Sequence, residues 1–382
     1  MQTRPLPRIA AVLALLLLPV CSQAQELRIV KRDPKTAALL CESQGKRVLF
    51  VAGTPEQMGA GHGQLLQALI PHVSPRTMSL VGAAYSIKTG VWFYDRMDEI
   101  YRRGSPFTPE RYLRELRALS QAGGISEYHA RGLNFFPELF HCSGIAVRGS
   151  ATADDQVLHV RVLDYMAGVN LQNYGVLQVF LPEGWNAWVS VGYAAFLGTV
   201  TAMNEKGLAM GEMGGRGEGD WDGIPMTFLM RQIMEEAGSV QEALAIIRRS
   251  RLTCEYYYVI SDASGDMVGL HCTPDKIETL LPGQQHPLLP AVPADTIMIS
   301  AGDRAKVLSD RLQQQHGKIS PQILQEVIRR PVAMKSNLHN AIFRPATLDL
   351  WYSDAGSSTP ACDEKYAAFN LGQLLEFYRT SK

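Results

Sequence analysis

The chain has 382 residues, 46% of them hydrophobic and 19% charged, with 37 basic and 37 acidic side chains. That balance can bury a substantial core and excludes disorder. A formal charge of zero, with no Lys/Arg block, excludes the basic footprint of a nucleic-acid binder.

Residues 1–24 read as a targeting segment: Arg4 and Arg8 form a positive n-region, "IAAVLALLLLPV" an apolar h-region, and "CSQAQ" a small-residue cleavage site after Ala24. The apolar run is about 12 residues, against the roughly 20 needed to span a bilayer. Export, secreted or periplasmic, is therefore expected. Val20 is larger than the small residue expected before a lipid-anchored cysteine, which argues against a lipoprotein built on Cys21. No later segment is suited to a membrane span, so the mature chain is expected to be soluble. It keeps Cys41, Cys142, Cys254, Cys272 and Cys362. In an oxidising compartment an odd number leaves at least one thiol over. Pairing Cys254 with Cys272 and Cys41 with Cys362 would leave Cys142.

Residues 26–55 look extended and end in the strand-like "KRVLFVAGT". From Pro55 to about Phe140 the apolar spacing is helical, with breaks expected at Pro75, Pro106 and Pro109. At Cys142 the pattern changes. "CSGIAVRGSATADDQVLHVRVLDY" reads as two strands joined by a polar turn around Thr152–Asp155. Strands follow at "YGVLQVFLP", "NAWVSVGY", "TVTAM" and "GLAMGEM", the last two joined by the turn "NEKG". Helices are expected at "PMTFLMRQIMEEA" and at "SVQEALAIIRRS", where Ser239 is an N-cap. The strands "YYYVISD" and "DMVGLHC", helices near 302–315 and 320–330, and the strands "NAIFRP" and "TLDLWYS" complete the pass. Hairpins alternating with helix pairs indicate an α+β fold of antiparallel sheets covered by helices. Cys142 is the natural boundary, dividing a mainly helical segment, 25–141, from a mixed body, 142–382.

A cysteine at such a boundary can become an N-terminal residue. Its thiol attacks the carbonyl of His141, the peptide bond becomes a thioester, and water cleaves it. The released α-amine, with an ordinary pKa of about 7.7–8.0, then serves as the base for the thiol on the same residue. An Arg nearby favours the thiolate, and an Asp can orient the amine. Arg161 and Asp164 lie on the returning strand of the first hairpin. Their opposite parity in a strand points them to opposite sides, so both reach the site only if the strand bends or ends near Leu163.

These residues carry a resemblance. "CSGIAV" followed by "DQVLHVRVLDY" resembles the start of the catalytic chain in N-terminal nucleophile hydrolases of the isopenicillin N acyltransferase type, with choloylglycine hydrolases and acid ceramidase as more distant relatives. "GTPEQMGAGHGQLL" resembles the opening of that family's pro-segment, "AMNEKGLAMGEM" its Asn-Glu-x-Gly-Leu hairpin, "VISDASGDMVGLH" its Asp-x-x-Gly strand pair, and "HNAIFRPATLDLWYSDAGSSTPA" its closing strands. The resemblance thus extends over most of the chain. It implies a four-layer αββα sandwich, an autocatalytic nucleophile at Cys142 with Arg161 and Asp164 as partners, and reaction on the C–N bond of an N-acyl small molecule by hydrolysis or acyl transfer. The choloylglycine-type relatives place oxyanion-hole asparagines where this chain has Gly214 and Tyr257. Backbone N–H groups near Gly214 and Gly215, or the Tyr257 hydroxyl, are the substitutes, with Asn204 and Asn340 as further candidates. Losing one such donor costs about 2.7–4 kcal/mol of transition-state stabilisation, so a replacement is required.

Other residues read structurally. Asn204 suits a turn, His62 a helix-packing or capping role, and His339 stands with Asn340 before a late strand. Tyr256, Tyr257 and Tyr258 alternate faces, and those on the Cys142 side are candidates to line an apolar acyl pocket. No HExxH, paired CxxC, G-x-S-x-G or strand-linked phosphate loop occurs, so neither metal nor cofactor is expected. "GGRGEGDWDG" at 214–223 reads as a polar loop and a candidate lid. The function expected is that of an exported, self-processing cysteine amidohydrolase or acyltransferase. Its 25–141 segment is expected to stay bound as a non-covalent subunit, because its apolar helix faces need cover. The alternatives are a non-catalytic binding protein of the same fold and an ester hydrolase resembling phospholipase B-like proteins.

Overall fold

The computed structural model describes residues 26–135, 142–165, 170–215 and 219–382. The targeting segment and His141 lie outside them. Three strands open the chain, β1 (Arg28–Asp33), β2 (Ala38–Ser43) and β3 (Lys46–Gly53), followed by five helices: α1 (Pro55–Leu65), α2 (Ile70–Thr89), α3 (Phe93–Gly104), α4 (Glu110–Gly123) and α5 (Glu127–Phe135). Local chemistry starts α1: the Thr54 side chain accepts from the Gln57 amide while Gln57 returns a bond to the Thr54 amide, a capping box. Pro75 does not break the helical run as expected. It lies within α2, whose Met78 and Val81 are buried, so packing outweighs the one backbone bond a proline forfeits.

The body supplies β4 (Ser143–Gly149), β5 (Asp155–Asp164), β6 (Gly175–Pro182), β7 (Trp188–Tyr193), β8 (Thr201–Asn204) and β9 (Ala209–Gly214), then α6 (Met226–Glu236) and α7 (Val240–Arg249). Ser239 caps α7 as read from the sequence, accepting from the Glu242 amide. Next come β10 (Tyr256–Ser261), β11 (Met267–Cys272), β12 (Ile277–Leu280), β13 (Thr296–Ile299), α8 (Asp303–Gln315), α9 (Pro321–Val327), β14 (Asn337–Arg344), β15 (Asp349–Asp354), β16 (Ala367–Asn370) and α10 (Leu371–Ser381).

Two sheets stack. One has ten strands in the order β1-β2-β3-β6-β7-β8-β9-β10-β11-β12, the other six in the order β13-β4-β5-β14-β15-β16. Among these described strands the pairings are antiparallel except β3 with β6, the joint through which the segment before Cys142 enters the body's sheet. Between the sheets, Phe50, Val179, Val189 and Met203 pack against Phe343, Leu350 and Phe369. Outside the second sheet, Val160, Val162 and Ile342 meet Leu308, Leu312 and Leu324 of α8 and α9. Outside the first, Leu49, Phe180 and Met210 join the core of α1–α7. The fold is α+β with four layers, as expected. Among the described residues no helix is long and apolar enough to cross a membrane.

The expected disulfides do not form among the described residues, where all five cysteines are buried. Cys272 stands opposite Tyr256, not Cys254, in the hairpin register. Cys41 packs between the sheets whereas Cys362 packs outside the second one, so a sheet separates them. Burial pushes the Cys41 thiol up to about 11 and that of Cys272 to about 12, which keeps both protonated and inert.

Candidate active site

Cys142 sits one residue before β4 and is 3% exposed. In the β4–β5 register Ser143 faces Val162 and Gly144 faces Arg161, so one further step sets Cys142 opposite Leu163. Cys142, Gly144 and Arg161 thus share one face of the second sheet. It is the face toward the first sheet, where a Cβ on Gly144 would lie 2.6 Å from Met213 Sδ and 2.8 Å from Val259 Cγ2. Arg161 is fully buried there, its stem against Gly211, where a Cβ would come within 3.0 Å of Arg161 Cδ. Its Nη1 donates to Val162 O at 2.6 Å, and its Nη2 meets Glu212 Oε2 at 3.5 Å. A buried guanidinium needs such partners, since an uncompensated charge is strongly destabilising.

β5 neither bends nor ends early, so Asp164 points the other way, to the α8 side. There Arg304 of α8 donates from Nη1 to Asp164 Oδ2, and from Nη2 to the Cys142 carbonyl at 2.9 Å. Asp164 also accepts the Met334 amide at 2.9 Å. Burial pushes its carboxyl above the ordinary range, opposed by Arg304. Opposite parity is therefore reconciled by a third residue: Arg304 reaches round the end of the hairpin and ties Asp164 to the backbone of Cys142. Sequence reading gave Arg304 no role. One signal was present, a cation in the first turn of a helix, where the dipole favours anions.

Two further groups brace this end of the hairpin. Ser143 and Ser300 share a hydroxyl contact of 2.8 Å. Asn337 donates to Leu163 O at 3.0 Å, and its amide pairs with that of Asn340 at 2.8 and 2.9 Å. His339 points between the sheets, its Nδ1 2.8 Å from the Tyr193 hydroxyl and its Nε2 2.9 Å from Thr201 Oγ1. Complete burial, aided by Arg161, drives its pKa well below the usual value and keeps the ring neutral.

The remaining candidates are placed as follows. Asn204 holds the β8–β9 turn, accepting from the Lys206 and Leu208 amides and donating to Met234 O and Ala237 O. Gly214 ends β9, and the Gly215 N–H donates to Glu255 O at 3.1 Å. Tyr257 stacks on His271 at 4.7 Å and donates its hydroxyl to Glu255 at 2.8 Å.

Leu163 and Tyr165, on either side of Asp164, line an apolar cavity of about 80 Å³. Its other walls are Met78 and Val81 of α2, Phe93 of α3, Leu133 of α5, Tyr193 at the end of β7, and Phe196 and Val200 of the β7–β8 connection. The tyrosines of β10 do not form it. Tyr256 instead lines a smaller neighbouring cavity that shares Met226 and Thr227 with the first.

The chain is 24% identical over 339 residues to Protein dcd1B of Dictyostelium discoideum, covering 79% of this chain and 67% of that protein. It is 25% identical over 242 residues to Protein dcd1A of the same organism, covering 55% of this chain and spanning about half, 54%, of that relative. Among solved structures, the Caenorhabditis elegans ortholog of N-acylethanolamine-hydrolyzing acid amidase superposes with a TM-score of 0.44 at 15% identity, over 54% of this chain and 93% of that one. A family model described as acyl-coenzyme A:6-aminopenicillanic acid acyl-transferase matches residues 152–285, a stretch that holds Arg161 and Asp164. Residues 152–285 are therefore similar to that acyl-transferase family, the one the motifs around "DQVLHVRVLDY" resemble.

Proposed function

We propose that the chain is an exported, self-processing cysteine amidohydrolase or acyltransferase that acts on the C–N bond of an N-acyl compound through a thioester on Cys142. The observation that carries this reading is the position of Cys142: at the mouth of the first hairpin, its carbonyl held by Arg304, and opposite a leucine that lines an apolar cavity.

In the first stage the Cys142 thiol attacks the His141 carbonyl carbon, the C–N bond breaks as nitrogen takes the thiol proton, and water hydrolyses the resulting thioester. The new α-amine then takes the thiol proton, and the thiolate attacks the substrate's acyl carbon. The collapsing intermediate passes that proton to the leaving amine. Water, or an amine in the transfer reaction, releases the acyl group. Arg161, on the same strand face as Cys142, favours the thiolate. Arg304 and Asp164 fix the residue's backbone so that the amine and thiol stay oriented. The apolar cavity suits the acyl portion of the substrate, whether an acylated amino acid, a β-lactam side chain or a lipid amide. Segment 25–141 is expected to remain as a non-covalent subunit, because β1–β3 are strands of the ten-stranded sheet.

Intact mass and N-terminal sequencing of wild type beside Cys142→Ala test the proposal. A chain starting at Cys142 in the wild type alone, with turnover of acyl amides, is expected. Turnover of acyl esters and not amides would move the activity to ester cleavage. An uncut wild-type chain would remove the α-amine base and overturn the mechanism.

A further inference from the structure

The connection from Ala194 to Val200, between β7 and β8, is built under constraint. Ala195 has φ +67, in the left-handed region that a residue bearing a Cβ rarely adopts. Three buried polar side chains from three helices hold this backbone. His62 of α1 accepts the Ala195 N–H at Nε2, 3.1 Å away. Asn134 of α5 accepts the Leu197 and Gly198 N–H groups at 2.7 and 3.3 Å and donates to the Ala195 carbonyl at 3.0 Å. Arg231 of α6 donates to the Leu197 carbonyl at 3.0 Å. His62 and Asn134 are both fully buried. Burial lowers the His62 pKa to about 3, so the ring is neutral and can accept at Nε2.

This connection supplies Phe196 and Val200 to the apolar cavity, beside Tyr193 at the end of β7. Two of its three clamps, His62 and Asn134, come from the segment before Cys142. We propose that Asn134 and His62 are positioning residues that set acyl selectivity: they impose the strained course of 194–200 and thereby fix the cavity wall against which the far end of an acyl chain rests. This rests on the proposed acyl chemistry at Cys142. Its consequence is specific. The wall touches only acyl groups long enough to reach it, so loosening it changes discrimination between chains and leaves the reacting end alone. A pocket of this kind discriminates by about 10–200-fold per methylene. The cavity, about 80 Å³, has room for a limited acyl chain, and the substrate series below locates that limit.

The test is a series of N-acyl-4-nitroanilides from acetyl to decanoyl, measured on wild type, Asn134→Leu, His62→Leu and His62→Gln. Asn134→Leu and His62→Leu are expected to lower kcat/KM for the best medium-chain substrate about tenfold, through KM, and to change the acetyl substrate less than about twofold. His62→Gln, whose amide oxygen can accept the same N–H, is expected to keep the wild-type profile. A uniform loss across chain lengths, or an unchanged profile in folded variants, overturns the proposal. Should the leucine variants not fold, Phe196→Ala probes the wall directly, and an unchanged profile there is equally decisive against it. Octanamide binding by calorimetry, in the Cys142→Ala background, separates this inference from the hydrolase reading. If wild type cleaves no acyl amide but octanamide binds and Asn134→Leu weakens it about tenfold, the hydrolase reading falls and the positioning role stands. Binding indifferent to Asn134→Leu overturns the positioning role.

Discussion

Two buried arginines organise this molecule, and they differ in what they hold. Arg231 of α6 is surrounded by side chains: Glu115 at 2.6 Å, Glu235 at 2.8 Å, and the rings of Tyr112, Phe180 and Trp188 about it. Glu115 and Tyr112 lie on α4, before Cys142, so this cluster stitches the leading segment to the body. Arg304 has one carboxylate, Asp164, and otherwise binds backbone carbonyls, those of Cys142 and Val332. The first gives most of its donors to side chains, with one to the Leu197 carbonyl, and stabilises a seam. The second has the Asp164 carboxylate beside it and holds the main chain at Cys142 and Val332.

Removing each arginine sharpens the contrast and gives the largest effects. Arg231→Met strands Glu115, while Glu235 keeps Arg111 and Tyr112, and a loss of about 3–5 kcal/mol in urea unfolding is expected. Arg304→Met is expected to lose a similar amount and, in addition, to lower the rate of cleavage before Cys142 by about 100-fold or more. The double variant Arg304→Met/Asp164→Asn separates the two contributions, because it removes the stranded carboxylate. Stability should largely return while cleavage stays slow. Recovery of both together would make Arg304 a structural arginine like Arg231.

A second difference is titratable. Burial pushes the Glu115 carboxyl up to about 7 despite Arg231 beside it. Between its ordinary 4.5 and about 7, the folded chain keeps a proton that the unfolded chain has lost. Glu115's share of stability is therefore full below about 4.5 and declines as pH rises toward 7. Glu115→Gln removes that decline, so the stability of wild type relative to the variant should fall by on the order of 2 kcal/mol from pH 5 to pH 7. Parallel unfolding curves for the two proteins would show that Glu115 stays ionised against Arg231 throughout.

Much of the fold could be read because the signals were local. Two apolar runs joined by a polar turn announced β4 and β5, and strand parity set Arg161 and Asp164 on opposite faces of β5. The Ser239 cap and the turn at Asn204 were equally local. β12, β13 and β16 have four residues each, too few for a period to stand out. α10 was legible but unassigned: Leu371, Leu374, Leu375 and Tyr378 follow helical spacing and are buried. The site was harder. Arg304 approaches Cys142 from a helix remote in sequence, and the cavity takes walls from α2, α3 and α5, so neither leaves a mark on the "CSGIAV" motif. The parallel joint of β3 with β6 is likewise a tertiary choice.

The smallest expected effect concerns the glycine of that motif. Gly144 faces the first sheet, and an added Cβ would press on Met213 Sδ at 2.6 Å and Val259 Cγ2 at 2.8 Å. Met213 is flexible and can move, whereas Val259 is stiff and buried, so part of the strain remains. Gly144→Ala should then cost about 1 kcal/mol, the low end for overpacking. The seam at Arg231 lies elsewhere and would be untouched. If β4 yields instead, the displacement is passed two residues along the strand to Cys142, whose carbonyl Arg304 holds at 2.9 Å. Cleavage before Cys142 should therefore slow more than the stability loss alone explains, read by mass spectrometry of the uncut fraction over time. A variant that loses stability yet cleaves at the wild-type rate would show that the Arg304 clamp, and not the spacing of the sheets, sets the position of Cys142.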